Sequence, residues 1–181
     1  MPILYKEDYS LWEHDMKRII LVIGLLSAMT ALFAKNISIQ IIQNNPAADG
    51  NVCETSYLIE QSIIDFFFAS GHIVSSTPVY IGTDKDVSSL KSALKENAEG
   101  GMDYLVRVEV DYKNFAGNPD YVSLDNIEKV TWKNYQVSTG QELSSGTERI
   151  GIVNRQNNNE SGVTGLASLV AAKISAGLKA R

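Results

Sequence analysis

The sequence has few of the residues that carry most enzyme chemistry. Among 181 residues there is one cysteine, Cys53, with two histidines and four prolines. A single cysteine excludes an intramolecular disulfide, and a zinc site needs several cysteine, histidine or carboxylate ligands at defined spacing. Glycine-rich phosphate-binding motifs and the Gly-x-Ser-x-Gly motif of serine hydrolases are missing too. We therefore expect a protein that is not an enzyme, with no catalytic residues, no cofactor and no metal.

Clusters of lysine and arginine are also missing. The formal net charge of the chain is −5, and because residues 1–34 carry three basic and four acidic residues, the remainder carries −4. Binding to nucleic acid requires clustered positive charge to neutralise phosphates, so we expect no nucleic-acid partner. Hydrophobic residues make up 44% of the chain and charged residues 20%, which is typical of one globular domain at this length.

Residues 16–34 have the pattern of a signal peptide. Lys17 and Arg18 precede an apolar run from Ile19 to Leu26, and smaller residues follow up to Ala34. This order predicts export to the periplasm or medium, with cleavage between Ala34 and Lys35; cleavage after Ala31 is the alternative. Retention as a membrane anchor is disfavoured, because the 16 residues from Ile19 to Ala34 fall short of the roughly 20 that span a bilayer.

Residues 1–15 do not fit a signal peptide, because they place four acidic residues in front of the positive segment. The simplest interpretation is an upstream leader that is not translated, with the true start at Met16. A cytoplasmic tail on a signal anchor is the alternative. The predicted organisation is therefore leader 1–15, signal peptide 16–34 and one periplasmic domain 35–181.

Hydrophobic periodicity predicts an α/β domain, a two-layer sandwich with a mixed sheet. The first strand, 36–43, alternates Ile37, Ile39 and Ile41 with polar residues, which predicts one buried face. Further elements follow in the order β-α-β-α-β-β-β-α. Their predicted ranges are a helix over 52–70, a strand over 72–76, a helix over 87–98, strands over 103–112, 127–137 and 142–153, and a helix over 163–178. A Ser-Thr-Gly-Gln turn at 138–141 joins the last two strands.

A catalytic dyad of Cys53 and His72 is disfavoured by the predicted helix between them. Nineteen residues of continuous helix would separate the two by roughly 28 Å. The aromatic residues are better candidates for function, because one helix face cannot bury all of Phe66, Phe67 and Phe68. We therefore expect Phe68 on the surface, and we name Phe68, Phe115 and Tyr121 as candidate interaction residues.

Three sequence motifs resemble those of a family of bacterial envelope domains. A helix ends in Gly71 before a strand containing Val74, a Gly-Met-Asp-Tyr segment at 101–104 opens the central strand, and Thr139-Gly140 forms the hairpin turn. These features resemble the family of the TolB N-terminal domain, CsgG, LpoB and FlgT. The resemblance implies an α/β sandwich that binds envelope proteins, in some cases within a ring, and it implies no shared catalytic residues.

The sequence therefore predicts an exported, non-enzymatic interaction module of cell-envelope assembly or maintenance. Its expected partner is another envelope protein, with a homo-oligomer as a further expectation. The alternative is a periplasmic small-ligand or glycan-binding protein with a pocket beside the polar loop 114–125.

Overall fold

A computed structural model defines the architecture of the chain. It describes residues 16, 19, 34–45, 50–83, 85, 87–113, 121–151 and 156–179. The chain divides into two compact units, Met1–Ala34 and Lys35–Arg181. The fold below is that of the second unit.

The second unit is built on one sheet. Its strands are β1 Asn36–Asn44, β2 Ile73–Ser76, β3 Tyr80–Ile81, β4 Tyr104–Tyr112, β5 Ile127–Gln136 and β6 Gln141–Arg149. The strand order is β2-β1-β4-β5-β6, and β3 pairs with the end of β1 beyond β2. Strand β1 pairs in parallel with β2, β3 and β4, whereas β5 pairs antiparallel with β4 and with β6. The predicted mixed sheet is therefore confirmed.

Three helices accompany the sheet: α1 Glu54–Ala69, α2 Val87–Glu99 and α3 Glu160–Lys179. The end of α1 follows from Gly71, which has a φ of +83°, a conformation that glycine adopts at low cost after a helix. Among the helices of the described residues, α3 over Glu160–Leu178 is long and apolar enough to cross a membrane by length and composition alone. In the fold its apolar face packs into the core, as expected for the core helix of a globular domain.

Helices α1 and α3 cover one face of the sheet and form the main core with it. The buried residues here include Ile37, Ile39, Ile41, Val106, Val108, Val110, Ile59, Ile63, Phe67, Val163, Val170 and Ile174. On the opposite face, α2 packs over the beginning of β4. A smaller core of Ala93, Leu105, Tyr135 and Val137 lies beneath α2.

One expectation for β1 is wrong. Alternation in β1 predicts a single buried face, yet Ser38, on the side opposite Ile37, is also buried. Ser38 pairs in register with Leu105 of β4, and Leu105 belongs to the core beneath α2. The central position of β1 and the helix on the second face therefore bury both sides of the strand, which alternation within one strand does not reveal.

The predicted order of elements is otherwise confirmed, with two additions, a 3₁₀ helix at Leu124–Asn126 and strand β3. Strand β3 consists of Tyr80 and Ile81 only, and it pairs with Ile42 and Gln43 of β1. Two residues are too few to produce a periodic pattern, so this strand could not be predicted from the sequence. The hairpin turn lies at its predicted position, and Gly140 within it has a φ of +67°.

Candidate functional site at the carboxyl end of the parallel strands

The parallel strands β1 and β4 end side by side, and helix α1 begins at the same edge of the sheet. Asn44 of β1 lies opposite Asp111 of β4, and the Asn44 side-chain amide donates a 2.6 Å hydrogen bond to the Asp111 carboxylate. In open α/β sheets, ligands commonly bind outside the carboxyl ends of adjacent strands whose helices lie on opposite faces. This edge is therefore where the fold favours a ligand site.

Gln43 organises the polar groups at this edge. Its side chain is fully buried, and its Nε2 donates to the Asn51 carbonyl at 2.7 Å. Its Oε1 accepts from the Cys53 backbone N–H at 2.7 Å and from the Ser56 hydroxyl at 2.9 Å. Gln43 thereby ties the segment before α1 and the first turn of α1 to β1.

Tyr112 completes this network at the end of β4. Its hydroxyl lies 2.8 Å from the Ser56 hydroxyl. Burial raises the pKa of Tyr112 far above its ordinary value, because the phenolate would lose its hydration, and the hydrogen bond with Ser56 offsets only part of this effect. Tyr112 is therefore a neutral hydrogen-bonding group.

Cys53 belongs to the same network as a buried thiol. Its Sγ accepts a hydrogen bond from the Asn45 side-chain amide at 3.2 Å. His72 lies beyond the other end of α1, and the 16 residues of this helix put about 24 Å between its ends. The structure therefore keeps Cys53 and His72 apart, in agreement with the sequence-based argument against a dyad. The polar groups at this edge satisfy one another, so their evident role is to anchor the segment that enters α1.

Tyr121 lies near this edge. The segment that follows Tyr121 in the chain is anchored by Ser123. The Ser123 backbone N–H donates to the Thr55 hydroxyl at 3.3 Å, and its hydroxyl donates to the Asn158 side chain at 2.8 Å. The side chain of Tyr121 is 59% exposed. The backbone beside Tyr121 is thus fixed to two other segments while its ring faces solvent.

Phe68 lies at the far end of α1 and is 73% exposed. Its neighbour Phe67 is fully buried, and Phe66 packs edge-on against Phe67 with ring centroids 5.6 Å apart. The three phenylalanines thus divide between core and surface as the helix geometry requires. Thirteen residues separate Thr55, which contacts the Tyr121 segment, from Phe68, so about 20 Å of helix lies between them.

The candidate interaction residues therefore do not form one patch. Phe68 and Tyr121 lie at opposite ends of α1, and Phe115 lies outside the described residues. Ile73, which was not predicted as an interaction residue, is also 61% exposed at the start of β2, close in sequence to Phe68. A residue in a four-residue edge strand gives no periodic signal of its exposure.

Lys35 is part of the folded unit, although it directly follows the predicted signal peptide. Its backbone N–H donates to His72 Nδ1 at 3.3 Å, and its ammonium donates to the Leu178 carbonyl at the end of α3 at 2.9 Å. The ammonium also lies 4.7 Å from the centre of the Tyr104 ring, a distance that suits a cation–π interaction. Ala34 is exposed. Cleavage between the two residues stays a prediction.

Within the described residues, no group of three or more histidine, cysteine, aspartate or glutamate side chains is placed to hold a metal ion.

Solved structures of similar fold include three bacterial proteins. A PelC dodecamer from Paraburkholderia phytofirmans has 17% identity and a TM-score of 0.44, with coverage of 82% of this chain and 89% of that one. TolB from Acinetobacter baumannii has 12% identity and a TM-score of 0.44, with coverage of 81% of this chain and 28% of that one. The LpoB C-terminal domain from Escherichia coli has 10% identity and a TM-score of 0.39, with coverage of 66% and 84%. TolB and LpoB are two of the proteins named above for their similar motifs.

The sequence comparisons give a family but no curated relative. No protein with a curated description matches the chain. A family model described as "Uncharacterised protein" matches residues 36–179, which is nearly all of the second unit. The chain therefore belongs to this family, the one described as "Uncharacterised protein".

Proposed function

We propose that residues 35–181 act in the bacterial cell envelope as a non-enzymatic protein–protein interaction module, after export and removal of residues 16–34. The observation that carries this proposal is the exposure of Phe68 on an ordered helix. Burial of a phenylalanine side chain against a partner is favourable by about 1.5–3 kcal/mol, and aromatic residues are enriched where partners bind.

The buried polar network of Gln43, Ser56 and Tyr112 supports a non-enzymatic role. Its groups hydrogen-bond to one another, and burial moves the pKa of Tyr112 still further from physiological pH than its ordinary value of about 10. A catalytic acid or base needs a pKa near the working pH. Tyr112, the group of this network whose pKa is shifted, is therefore unsuited to proton transfer.

Site-specific photo-crosslinking in the producing cell tests the proposal. A photoreactive phenylalanine analogue replaces Phe68 in one strain, Tyr121 in a second, and Lys95, an exposed residue of α2, in a third. We expect position 68 to capture one envelope protein, identified by mass spectrometry, and position 95 to capture none. Equal yields at positions 68 and 95, or no product at either aromatic position, would contradict the proposal.

Binding of a small ligand or glycan beside the loop 114–125 is the second prediction from the sequence. Residues 114–120 of this loop lie outside the described residues. A shift in melting temperature with peptidoglycan fragments, abolished in a Tyr121→Ala variant, would favour this function over the interaction module.

A further inference from the structure

The last strand of the sheet leaves one edge open. Strand β6 is the end of the strand order, and within the described residues no strand pairs with its outer edge. The Ile150 backbone N–H donates to the Glu128 carbonyl of the β5 side at 3.1 Å. Because backbone groups alternate in direction along an antiparallel strand, the N–H and C=O groups of Ser145, Thr147 and Arg149 point outward.

This edge has only part of the usual protection against pairing with another chain. Natural edge strands are commonly short, or they carry charged residues, proline or a β-bulge. Strand β6 has nine residues without lysine or proline, and its register shift against β5 lies near its beginning, at Tyr135, so the stretch from Ser144 to Arg149 is regular. Strand β2, by contrast, has four residues, and Pro78 follows it closely. The open edge of β6 is therefore suited to accept a further strand.

The charges of β6 favour a second copy of the same strand. Glu142 near its beginning pairs with Tyr135, and Arg149 at its end pairs with Lys129. Tyr135 and Lys129 are six residues apart in the regular strand β5, so Glu142 and Arg149 lie on the same face of the sheet. In an antiparallel pair of two β6 strands, Glu142 of each strand lies near Arg149 of the other. Glu148, next to Arg149 in the chain, faces the other side of the sheet, where it forms an ion pair with Lys173.

The helix beside β6 is compatible with such a pair. Helix α3 lies next to β6, because Lys173 forms an ion pair with Glu148 of β6. One helical turn before Lys173, Leu169 is 47% exposed. Nearby exposed positions of α3 carry the small residues Gly165, Ala172 and Ala176, which would let a second helix approach closely.

We propose that two copies of the chain associate through their β6 strands, antiparallel and centred on Gly146. Ser145 of one copy then lies opposite Thr147 of the other, and their outward backbone groups form the hydrogen bonds of the pair. Glu142 of each copy lies beside Arg149 of the other, and the two Leu169 side chains lie on the flanks that come together. This inference goes beyond the proposed function, because its partner is a second copy and not another envelope protein.

A charge exchange on the purified exported protein tests the proposal. Light scattering coupled to size-exclusion chromatography over a range of concentrations gives the dimer dissociation constant. We expect Glu142→Arg and Arg149→Glu each to raise this constant by about tenfold, because each single change affects two symmetric charge pairs and adds like-charge repulsion. The double variant, with the charges exchanged, should return it to the wild-type value.

Backbone and helix variants provide independent tests. Thr147→Pro removes an outward N–H without removing a backbone hydrogen bond to β5, and it should give a folded monomer. Thr147→Val is the matched control, because it loses the same 3.2 Å side-chain hydrogen bond to Thr131 of β5 but keeps the outward N–H, and it should leave the dimer intact. Leu169→Glu should weaken the dimer, whereas Thr164→Glu, about 140° around the same helix, should not. A wild-type monomer at all concentrations, or an oligomer that survives Thr147→Pro and both single charge changes, would overturn the proposal. A monomer that still crosslinks through position 68 would overturn this inference alone.

Discussion

The ring of Trp132 on β5 lies directly over Gly146 on β6. The two residues are opposite each other in the antiparallel pair, and a Cβ placed on Gly146 would overlap the indole ring. The ring occupies the space of the missing side chain and is itself buried in the main core. A glycine in a strand commonly marks such a close approach.

Replacement of Gly146 by alanine should therefore destabilise the domain. The added methyl group forces the Trp132 ring out of its position, and overpacking of this kind costs about 1–3 kcal/mol. Gly151→Ala is the matched control, since nothing lies within 4 Å of a Cβ at Gly151. Chemical denaturation of both variants measures the difference in the free energy of unfolding; equal values would show that Trp132 does not pack as described.

Gly140→Val should also destabilise the domain, but for a different reason. The left-handed φ of +67° at Gly140 strains a β-branched residue by about 1–3 kcal/mol, although a Cβ there would meet only Leu94 at 3.5 Å. Gly140→Asn should cost less, because asparagine tolerates this conformation. We expect Gly117→Val, in the polar loop, to cost less than Gly140→Val. Thermal melts rank the three variants, and a larger loss at Gly117 than at Gly140 would contradict this assignment of the hairpin.

Gln43→Ala should be among the most destabilising single changes at the carboxyl end of β1. It leaves the Cys53 N–H and the Ser56 hydroxyl without their buried acceptor, and each orphaned buried group costs about 1–3 kcal/mol. Gln61→Ala on the exposed side of α1 removes only a hydrogen bond to Asp65 and should change stability by less than about 0.5 kcal/mol. Urea denaturation of both variants is the measurement. Similar midpoints would mean that Gln43 does not anchor the entry to α1.

The raised pKa of Tyr112 predicts a loss of stability at alkaline pH. The pKa of Tyr112 in the folded state lies above the unfolded value of about 10. Its contribution to the free energy of unfolding is therefore fully present below that pH and is lost as the pH rises further. The free energy of unfolding should therefore fall above about pH 10, and Tyr112→Phe should flatten this decline. Tyr121→Phe, with its exposed ring, serves as the control. If the free energy of unfolding falls equally with pH in wild type and Tyr112→Phe, the pKa of Tyr112 is not raised by burial.

The exported protein should begin at Lys35. The signal-peptide pattern ends at Ala34, and Lys35 contacts both His72 and the end of α3 through its backbone and side chain. Intact-mass spectrometry of protein from the periplasm or medium determines the first residue. A membrane-bound product that begins at Met1 or Met16 would instead support an anchor.

Several features were predictable because they depend on neighbouring residues alone. The alternation of Val106, Val108 and Val110 predicts β4, and the Thr-Gly pair at 139–140 predicts the turn with its left-handed glycine. The exposure of Phe68 follows from three consecutive phenylalanines on one helix. In each case the pattern lies within a few residues of the chain, where the period of the strand or helix decides which side chains share a face.

Other features depend on residues that are distant in the chain. The hydrogen bonds of Gln43 to the segment that opens α1 and the contact of Ser56 with Tyr112 bring β1, α1 and β4 together. None of these contacts was predictable from the sequence, because a buried glutamine and an exposed one look alike in a local pattern. Ile73 shows the converse, since an isoleucine in a predicted strand is 61% exposed at the sheet edge.

The sequence by itself determined the type and order of the main elements, the absence of clustered catalytic residue types and the export pattern of residues 16–34. Only the tertiary structure decided the burial of both faces of β1, the pairing of the two-residue strand β3 and the open edge of β6. The physical reason is that periodicity records which side of an element is apolar. Burial of the other side, and the pairing of each edge, depend on which distant element packs there.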